Sequence, residues 1–271
     1  MKSDFSVKDK VIVVTGATGV LGHSFINALA EKGAIVGILG RNEKVATQRV
    51  KEIVQNGGKA ITLIADVTDE QQLLSAKKLL LNEFGKIDGL VNAAGGNMPE
   101  AVIAPDQDLF RVDFAALKEV MNLNLFGTML PTQIFGEAIA KQGKGSIVNI
   151  SSMASQRVIT KVLGYSMAKS AIDCYTKWFA VELGKRYGDT IRMNAIAPGF
   201  FLTEQNKNLL TNGNGTMTER GELVIKNTPF NRFGEPSELN GVLIWLLSDA
   251  SRFVTGTVVN VDGGFSIFSG V

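Results

Sequence analysis

Val11-Ile-Val-Val-Thr-Gly-Ala-Thr-Gly-Val-Leu-Gly22 decides how this chain is read. The branched apolar run Val11 to Val14 favours a strand buried on both faces. Thr15 to Gly22 then places glycines at 16, 19 and 22, and Phe25, Ile26, Leu29 and Ala30 take up a helical period directly afterwards. Strand, glycine-rich turn and helix in that order gather free backbone N–H groups and the positive end of a helix at one point, which suits the pyrophosphate of a dinucleotide. Gly16, Thr18, Gly19, Val20, Leu21 and Gly22 are the expected contacts. Ordinary turns use the same residues, so the rest of the chain has to decide.

Working outward, short β-branched runs alternate with longer amphipathic stretches, the rhythm of βαβ units around a buried parallel sheet. Seven strands are predicted, at 10–15, 34–39, 60–65, 87–93, 146–151, 190–196 and 257–261. Helical stripes run through Val45, Arg49, Val50, Ile53 and Val54 before Gly57-Gly58, and through Leu73, Ala76, Leu80 and Phe84 before Gly85. Longer helices are expected over 113–141, with a kink or break at Pro131, and over 165–187. The stretch 200–231, with Thr211-Asn-Gly-Asn-Gly-Thr216, resists a regular reading and is a candidate substrate lid. The fold class expected is α/β: a single Rossmann domain over 1–271 around a doubly wound parallel sheet of about seven strands.

Composition narrows the partners. With 45% apolar and 20% charged residues the chain can bury one sizeable core. A formal charge of +2 with Lys and Arg spread along the chain lacks the footprint of a nucleic-acid binder, so a small molecule is the expected partner. The polar start and the short run at Val11 to Val14 suggest neither a signal core nor a membrane span, and a cytoplasmic location is expected. One cysteine, Cys174, excludes an internal disulfide and reads as helix packing. One histidine, His23, excludes multi-histidine zinc sites, and no metal is expected.

The second strand ends in Leu39-Gly40-Arg41-Asn42, where a binder of the unphosphorylated dinucleotide usually places an acid against the ribose hydroxyls. The guanidinium of Arg41, with Asn42 beside it, suits a 2′-phosphate instead; NADP(H) is favoured, with NAD(H) as the alternative. In Tyr165-Ser-Met-Ala-Lys169, four-residue spacing on a helix puts a phenol and an ammonium one turn apart. Lowering a tyrosine from about 10 to near 7 takes roughly 4 kcal/mol of preference for the phenolate, which nearby positive charge in a partly desolvated cleft can supply. Ser152 ends the fifth strand region, where side chains face the ligand crevice of open α/β sheets, and can donate to a substrate oxygen.

Together these residues resemble the short-chain dehydrogenase/reductase family, over essentially the whole chain. The resemblance implies that Asp66 and Val67 contact the adenine end. It also places Asn92-Ala-Ala-Gly95 under the cofactor, with Asn92, Ala93 and Gly95 as contacts, and Pro198, Gly199 and Thr203 at the nicotinamide end. It implies a catalytic tetrad of Asn124, Ser152, Tyr165 and Lys169, the last two also binding cofactor, and a homotetramer with the helices over 113–141 and 165–187 at an interface. Two positions depart from the pattern: Val20 stands where this branch usually has its middle glycine, which moves to Gly19, and Ala93 replaces an asparagine. Narrower likeness, in Gly96-Asn-Met, Gly145 to Met153, Ala197 to Asn206 and the ending Val261-Asp-Gly-Gly-Phe, is to D-mannonate (fructuronate) oxidoreductases of carbohydrate metabolism.

The activity expected is therefore interconversion of a keto-sugar acid and its alcohol, D-fructuronate and D-mannonate being the specific pair. Alternatives are another carbonyl reductase, such as one for 3-oxoacyl thioesters, or a dinucleotide sensor without turnover, since a fold alone does not establish chemistry. Arg157, five residues after Ser152, is expected to bind the substrate carboxylate, with Lys161 or Arg220 as substitutes. Asn97, Gln205 and Asn206 are expected to pair with sugar hydroxyls, alongside Ser152 and Tyr165 at the reacting oxygen.

Overall fold

The computed structural model describes residues 4–203 and 206–270. Seven strands form one parallel sheet: β1 (Val11–Thr15), β2 (Ile35–Gly40), β3 (Lys59–Ile64), β4 (Gly89–Asn92), β5 (Gly145–Ile150), β6 (Ile191–Pro198) and β7 (Val258–Val261). They lie in the order β3-β2-β1-β4-β5-β6-β7, every neighbouring pair parallel. This is the single-domain Rossmann architecture anticipated from the alternating pattern, with strand ends shifted by a residue or two.

Alternation along each strand divides the core. Ile12 and Val14 face one side, with Phe25, Ile26 and Leu29 of α1 (Val20–Glu31) and Ile53 of α2 (Glu43–Gln55). Val11 and Val13 face the other, with Leu73 and Leu80 of α3 (Glu70–Phe84). After α4 (Phe114–Met121), the second face is completed by Phe135 and Ile139 of α5 (Gly127–Gln142) and Leu183 of α6 (Leu163–Tyr187). Two short helices, α7 (Lys207–Leu210) and α8 (Glu219–Lys226), lie in the stretch expected to be irregular, and α9 (Asn240–Leu247) closes the first face. A four-residue helix is too short to leave a period in the sequence, which is why α7 was not legible.

Two expectations are corrected here. Pro131 does not break its helix; it sits inside α5, and a π-helical turn at Asn122–Phe126 precedes that helix. Proline cannot donate to the carbonyl four residues back, that of Gly127, and the helix runs on through this one missing bond. Cys174, expected to pack, is exposed, because the buried stripe of α6 runs through Lys169, Ile172, Asp173 and Thr176. Among the described residues no helix is long and apolar enough to cross a membrane.

A chain of buried polar groups crosses the second core. Asn92 Nδ2 donates to Thr132 Oγ1 and to Asn149 Oδ1, both at 2.9 Å, and Asn149 Nδ2 donates to Thr176 Oγ1 at 2.9 Å. It ties β4 and β5 to α5 and α6, the elements that carry the site. Asn149→Ala strands the partners on either side, and with unsatisfied buried groups costing roughly 1–3 kcal/mol each we expect a loss of about 2–4 kcal/mol in chemical denaturation. A loss below about 1 kcal/mol would show that the chain relaxes around the gap.

Candidate active site

At the carboxyl ends of the strands lies a cavity of about 670 Å³. Ser152, Tyr165 and Lys169 all line it. Ser152 leaves β5 in extended backbone and its Oγ accepts the Ala154 N–H at 3.1 Å, which fixes the side chain at the start of a short 3₁₀ turn. The Ser152 hydroxyl is close enough to the Tyr165 phenol to act on its ionisation. Lys169, only 4% exposed, donates from Nζ to the Ile150 carbonyl at 2.7 Å and stands 5.4 Å from the Tyr165 ring centroid.

Burial pushes the Tyr165 phenol up, with the Ser152 bond opposing it, and burial pushes Lys169 down to about 8, with the Asp173 charge opposing that. The expectation of a tyrosine lowered by its lysine is thus not met by these residues alone, since desolvation of the phenol outweighs the opposing effect of the Ser152 hydroxyl. The result is a protonated phenol beside a lysine brought down to about 8, the state needed to give a proton to an oxygen.

Asn124 is fully buried by the π turn and does not line the cavity. Its Nδ2 donates to the carbonyls of Gly96 (2.6 Å) and Val120 (2.8 Å), and its Oδ1 accepts the Gly96 N–H at 3.0 Å. The asparagine thereby sets the backbone that follows β4. A Cβ at Gly95 would lie 2.7 Å from Asn124 Oδ1 and 3.4 Å from Lys169 Nζ, so only a glycine fits between them.

The remaining expected contacts fall into groups. Leu21, Ala93, Gly95, Asn97, Pro198, Gly199, Thr203 and Asn206 line the cavity. Arg41, Asn42, Asp66 and Val67 stand at the ends of β2 and β3, outside it. Asn42 caps α2 by accepting the Val45 N–H, and Val67 packs where a Cβ on Gly127 would be. Burial raises Asp66, but bonds from Thr68 and the Arg41 charge outweigh it and hold the carboxyl below its usual range. Asn92 turns into the core, away from the cavity. Asn206 spends its amide on the Thr203 N–H and the Phe201 carbonyl, and Gln205 lies outside the described residues.

Arg157 does not stand where it was expected. It is exposed, donates to the Phe268 carbonyl at 3.0 Å and is not part of the cavity wall; the 3₁₀ turn at Met153–Ser155 directs it outward. Lys161 is also absent from the wall, whereas Arg220, from α8, belongs to it. Arg220 is bound at 3.2 Å to the Thr160 carbonyl. Sequence reasoning missed Asp173, although its position one turn beyond Lys169 continues the Tyr165-Lys169 stripe.

The turn after β1 fits a dinucleotide. Gly16 has φ +62°, and a Cβ there would lie 2.6 Å from the Ala93 carbonyl oxygen. The N-terminus of α1 carries no side-chain cap and no acid in its first turn, unlike α2 and α3, which Asn42 and Asp69 cap. Gly16 through Gly22 would hold the pyrophosphate on those N–H groups.

A family model described as enoyl-(acyl carrier protein) reductase matches residues 16–266. An uncharacterized oxidoreductase UxuB of Bacillus subtilis is 42% identical, covering 97% of this chain and 96% of its own. A Haemophilus influenza protein proposed to be a D-mannonate oxidoreductase, solved with bound NAD, is 40% identical with a TM-score of 0.90 over 98% of both chains. A gluconate 5-dehydrogenase from Burkholderia cenocepacia, solved with NADP and tartrate, is 31% identical with a TM-score of 0.87 over 97% of both. This chain belongs to the short-chain dehydrogenase/reductase family and is an oxidoreductase that uses a nicotinamide dinucleotide to act on alcohol and keto groups.

Because Lys169 titrates near 8 and Tyr165 is pushed above its ordinary value, we expect kcat/KM for ketone reduction to be level on the acid side and to fall above about pH 8 as the lysine loses its proton. A pH-rate profile measures this. A level profile through pH 9.5 would contradict the assignment.

Proposed function

We propose that this enzyme reduces the ketone of a small sugar acid, D-fructuronate to D-mannonate being the specific pair, with Ser152, Tyr165 and Lys169 as its catalytic residues and Asn124 as a positioning residue behind them. The observation that carries the substrate class is the charge of the cavity wall. Lys169 and Arg220 line it, and no carboxylate does among the described residues. Asn97 adds a buried amide oxygen without a partner. Such a wall favours an anion with hydroxyl groups, since buried polar atoms left unpaired cost roughly 1–3 kcal/mol each.

The bound dinucleotide supplies the hydride. Ser152 donates to the substrate oxygen and stabilises the charge that develops there. Tyr165 gives its proton to the same oxygen, completing the alcohol. Lys169 stands behind the phenol to favour its ionised form after transfer, and Asn124 holds the Gly95-Gly96 backbone against both. Arg220 is the cation placed to meet the substrate carboxylate, in the part that Arg157 was expected to play. Phe200, Phe201 and the α7 residues Asn208, Leu209 and Leu210 also line the cavity, which supports the stretch 200–231 as a substrate lid.

A second reading, reduction of a 3-oxoacyl thioester, is favoured by the apolar side of the wall, where Met98, Val102, Ile159 and Leu209 lie. Comparing D-fructuronate, D-fructose and a 3-oxoacyl thioester in wild type and Arg220→Ala separates the two. We expect wild type to prefer the acid to D-fructose by at least tenfold in kcat/KM and the variant to lose most of that preference. Equal rates on the two sugars, or faster turnover of the thioester, would overturn the sugar-acid reading.

For the cofactor, NADP(H) is the favoured form and NAD(H) the alternative. Arg41 is 74% exposed and holds Asp66 only loosely, at 3.4 Å. An exposed pair of that kind is worth about 0–1 kcal/mol, so the guanidinium is free to turn to a 2′-phosphate. A charged hydrogen bond worth about 1.5–3 kcal/mol predicts a preference of tenfold or more for NADPH, lost in Arg41→Ala; equal efficiency with both cofactors in wild type would contradict it. We propose a homotetramer as well, supported by exposed Trp178 and Val181 on α6 and Phe126 just before α5.

A further inference from the structure

We propose that Asp173 is a positioning residue for the reaction: its carboxylate clamps the Ser152 segment to α6 from both sides and offsets the buried charge of Lys169. The inference rests on the catalytic reading of Ser152, Tyr165 and Lys169. Tyr165, Lys169 and Asp173 follow one another at four-residue intervals, so they share one face of α6. Lys169 and Asp173 are both buried there.

The carboxylate has two oxygens and each takes a hydroxyl from the loop that follows β5. Ser151 Oγ is bonded to Asp173 Oδ1, and Ser155 Oγ lies 2.5 Å from Asp173 Oδ2. The two serines flank Ser152 in the sequence, one immediately before it and one three residues after. A second pair of bonds makes the same connection: Lys169 Nζ to the Ile150 carbonyl at 2.7 Å and Ser170 Oγ to the Ser155 carbonyl at 3.2 Å. The end of β5 and the loop carrying Ser152 are therefore fastened to the helix carrying Tyr165 by four bonds, one at the strand end and three in the loop, and Asp173 makes two of them. Bonds to an ionised acceptor are short and strong, which suits a job of fixing one hydroxyl against another.

The charge has its own role. Among the described residues no ion pair reaches Asp173. The groups that face it are the two serine hydroxyls from the loop and the Lys169 ammonium from its own helix. Its field acts on that ammonium and opposes the burial that, on balance, holds the lysine down at about 8. An uncharged residue of the same size would keep the shape of the clamp and lose this effect.

The test compares Asp173→Asn with the double variant Ser151→Ala/Ser155→Ala, measured for kcat, KM and pH profile. In parallel, the Lys169 side chain is titrated by NMR in protein carrying isotope-labelled lysine. In Asp173→Asn we expect kcat to fall tenfold or more while substrate KM stays within about threefold, and the lysine titration to move below that of wild type. In the serine variant kcat falls and the lysine titration stays near its wild-type position, because the carboxylate is still present. Wild-type kcat in either variant, or an unmoved Lys169 titration in Asp173→Asn, would overturn the proposal. Should Asp173→Asn fail to fold, kcat of the serine variant decides. The NMR titration needs no turnover, so a wild-type enzyme inactive on every ketone would refute the catalytic reading without bearing on the clamp.

Discussion

A buried ammonium governs the arrangement of this molecule. Parallel strands end on one side of their sheet, and here the chain runs outward from β1 to β3 and returns to β4 on the other flank of β1. The reversal opens a crevice at the strand ends, the usual ligand site of such sheets. Lys169 enters it from α6 and needs partners, because an ion removed from water is costly unless its donors are satisfied. The Ile150 carbonyl supplies one, Asp173 supplies opposite charge one turn along, and the tight approach of Gly95 leaves no room for a side chain. Asn124 then has to be inside the protein to hold the Gly96 backbone, which is what the π turn achieves.

This arrangement also bears on the protonation states of the proposed catalytic set. Burial acts on phenol and amine in opposite senses on the pH scale, since it disfavours the charged form of each. Tyr165 therefore stays neutral and able to donate, while Lys169 is brought down to about 8. A reductase needs a proton present on the phenol, and a cation near enough to accommodate the phenolate that remains once it is given up. The cavity wall continues the theme, with Arg220 as a second cation at some remove along the chain from the reacting pair.

Much of the fold could be read from the residues because each central strand is apolar on both faces and each flanking helix is apolar on one. The glycine turn, the Tyr165-Lys169 spacing and Ser152 at a strand end were legible for the same reason, since local geometry fixes them. The misplacements share another cause. Arg157 turns outward to a carbonyl 111 residues away, and no local pattern encodes that contact. Cys174 was misread because α6 carries exposed Met167, Trp178 and Val181 as well as a buried stripe, which blurs the distinction between its faces. The position of Asn124 depends on a π turn that rotates it inward, and Asn92 turns into the core, where its amide N–H groups reach Thr132 and Asn149 across 40 and 57 residues of sequence.

The central proposal is that hydride passes from the dinucleotide to a ketone whose oxygen meets Ser152 and Tyr165, in a substrate whose carboxylate meets Arg220. It is tested most directly by incubating the enzyme with D-fructuronate and a nicotinamide dinucleotide deuterated at the transferable position, then weighing the sugar acid recovered. The account predicts D-mannonate heavier by one deuterium in place of one hydrogen, bound to the carbon that was the ketone. D-mannonate formed without deuterium, or no labelled alcohol from D-fructuronate under conditions where another ketone is reduced, would contradict it.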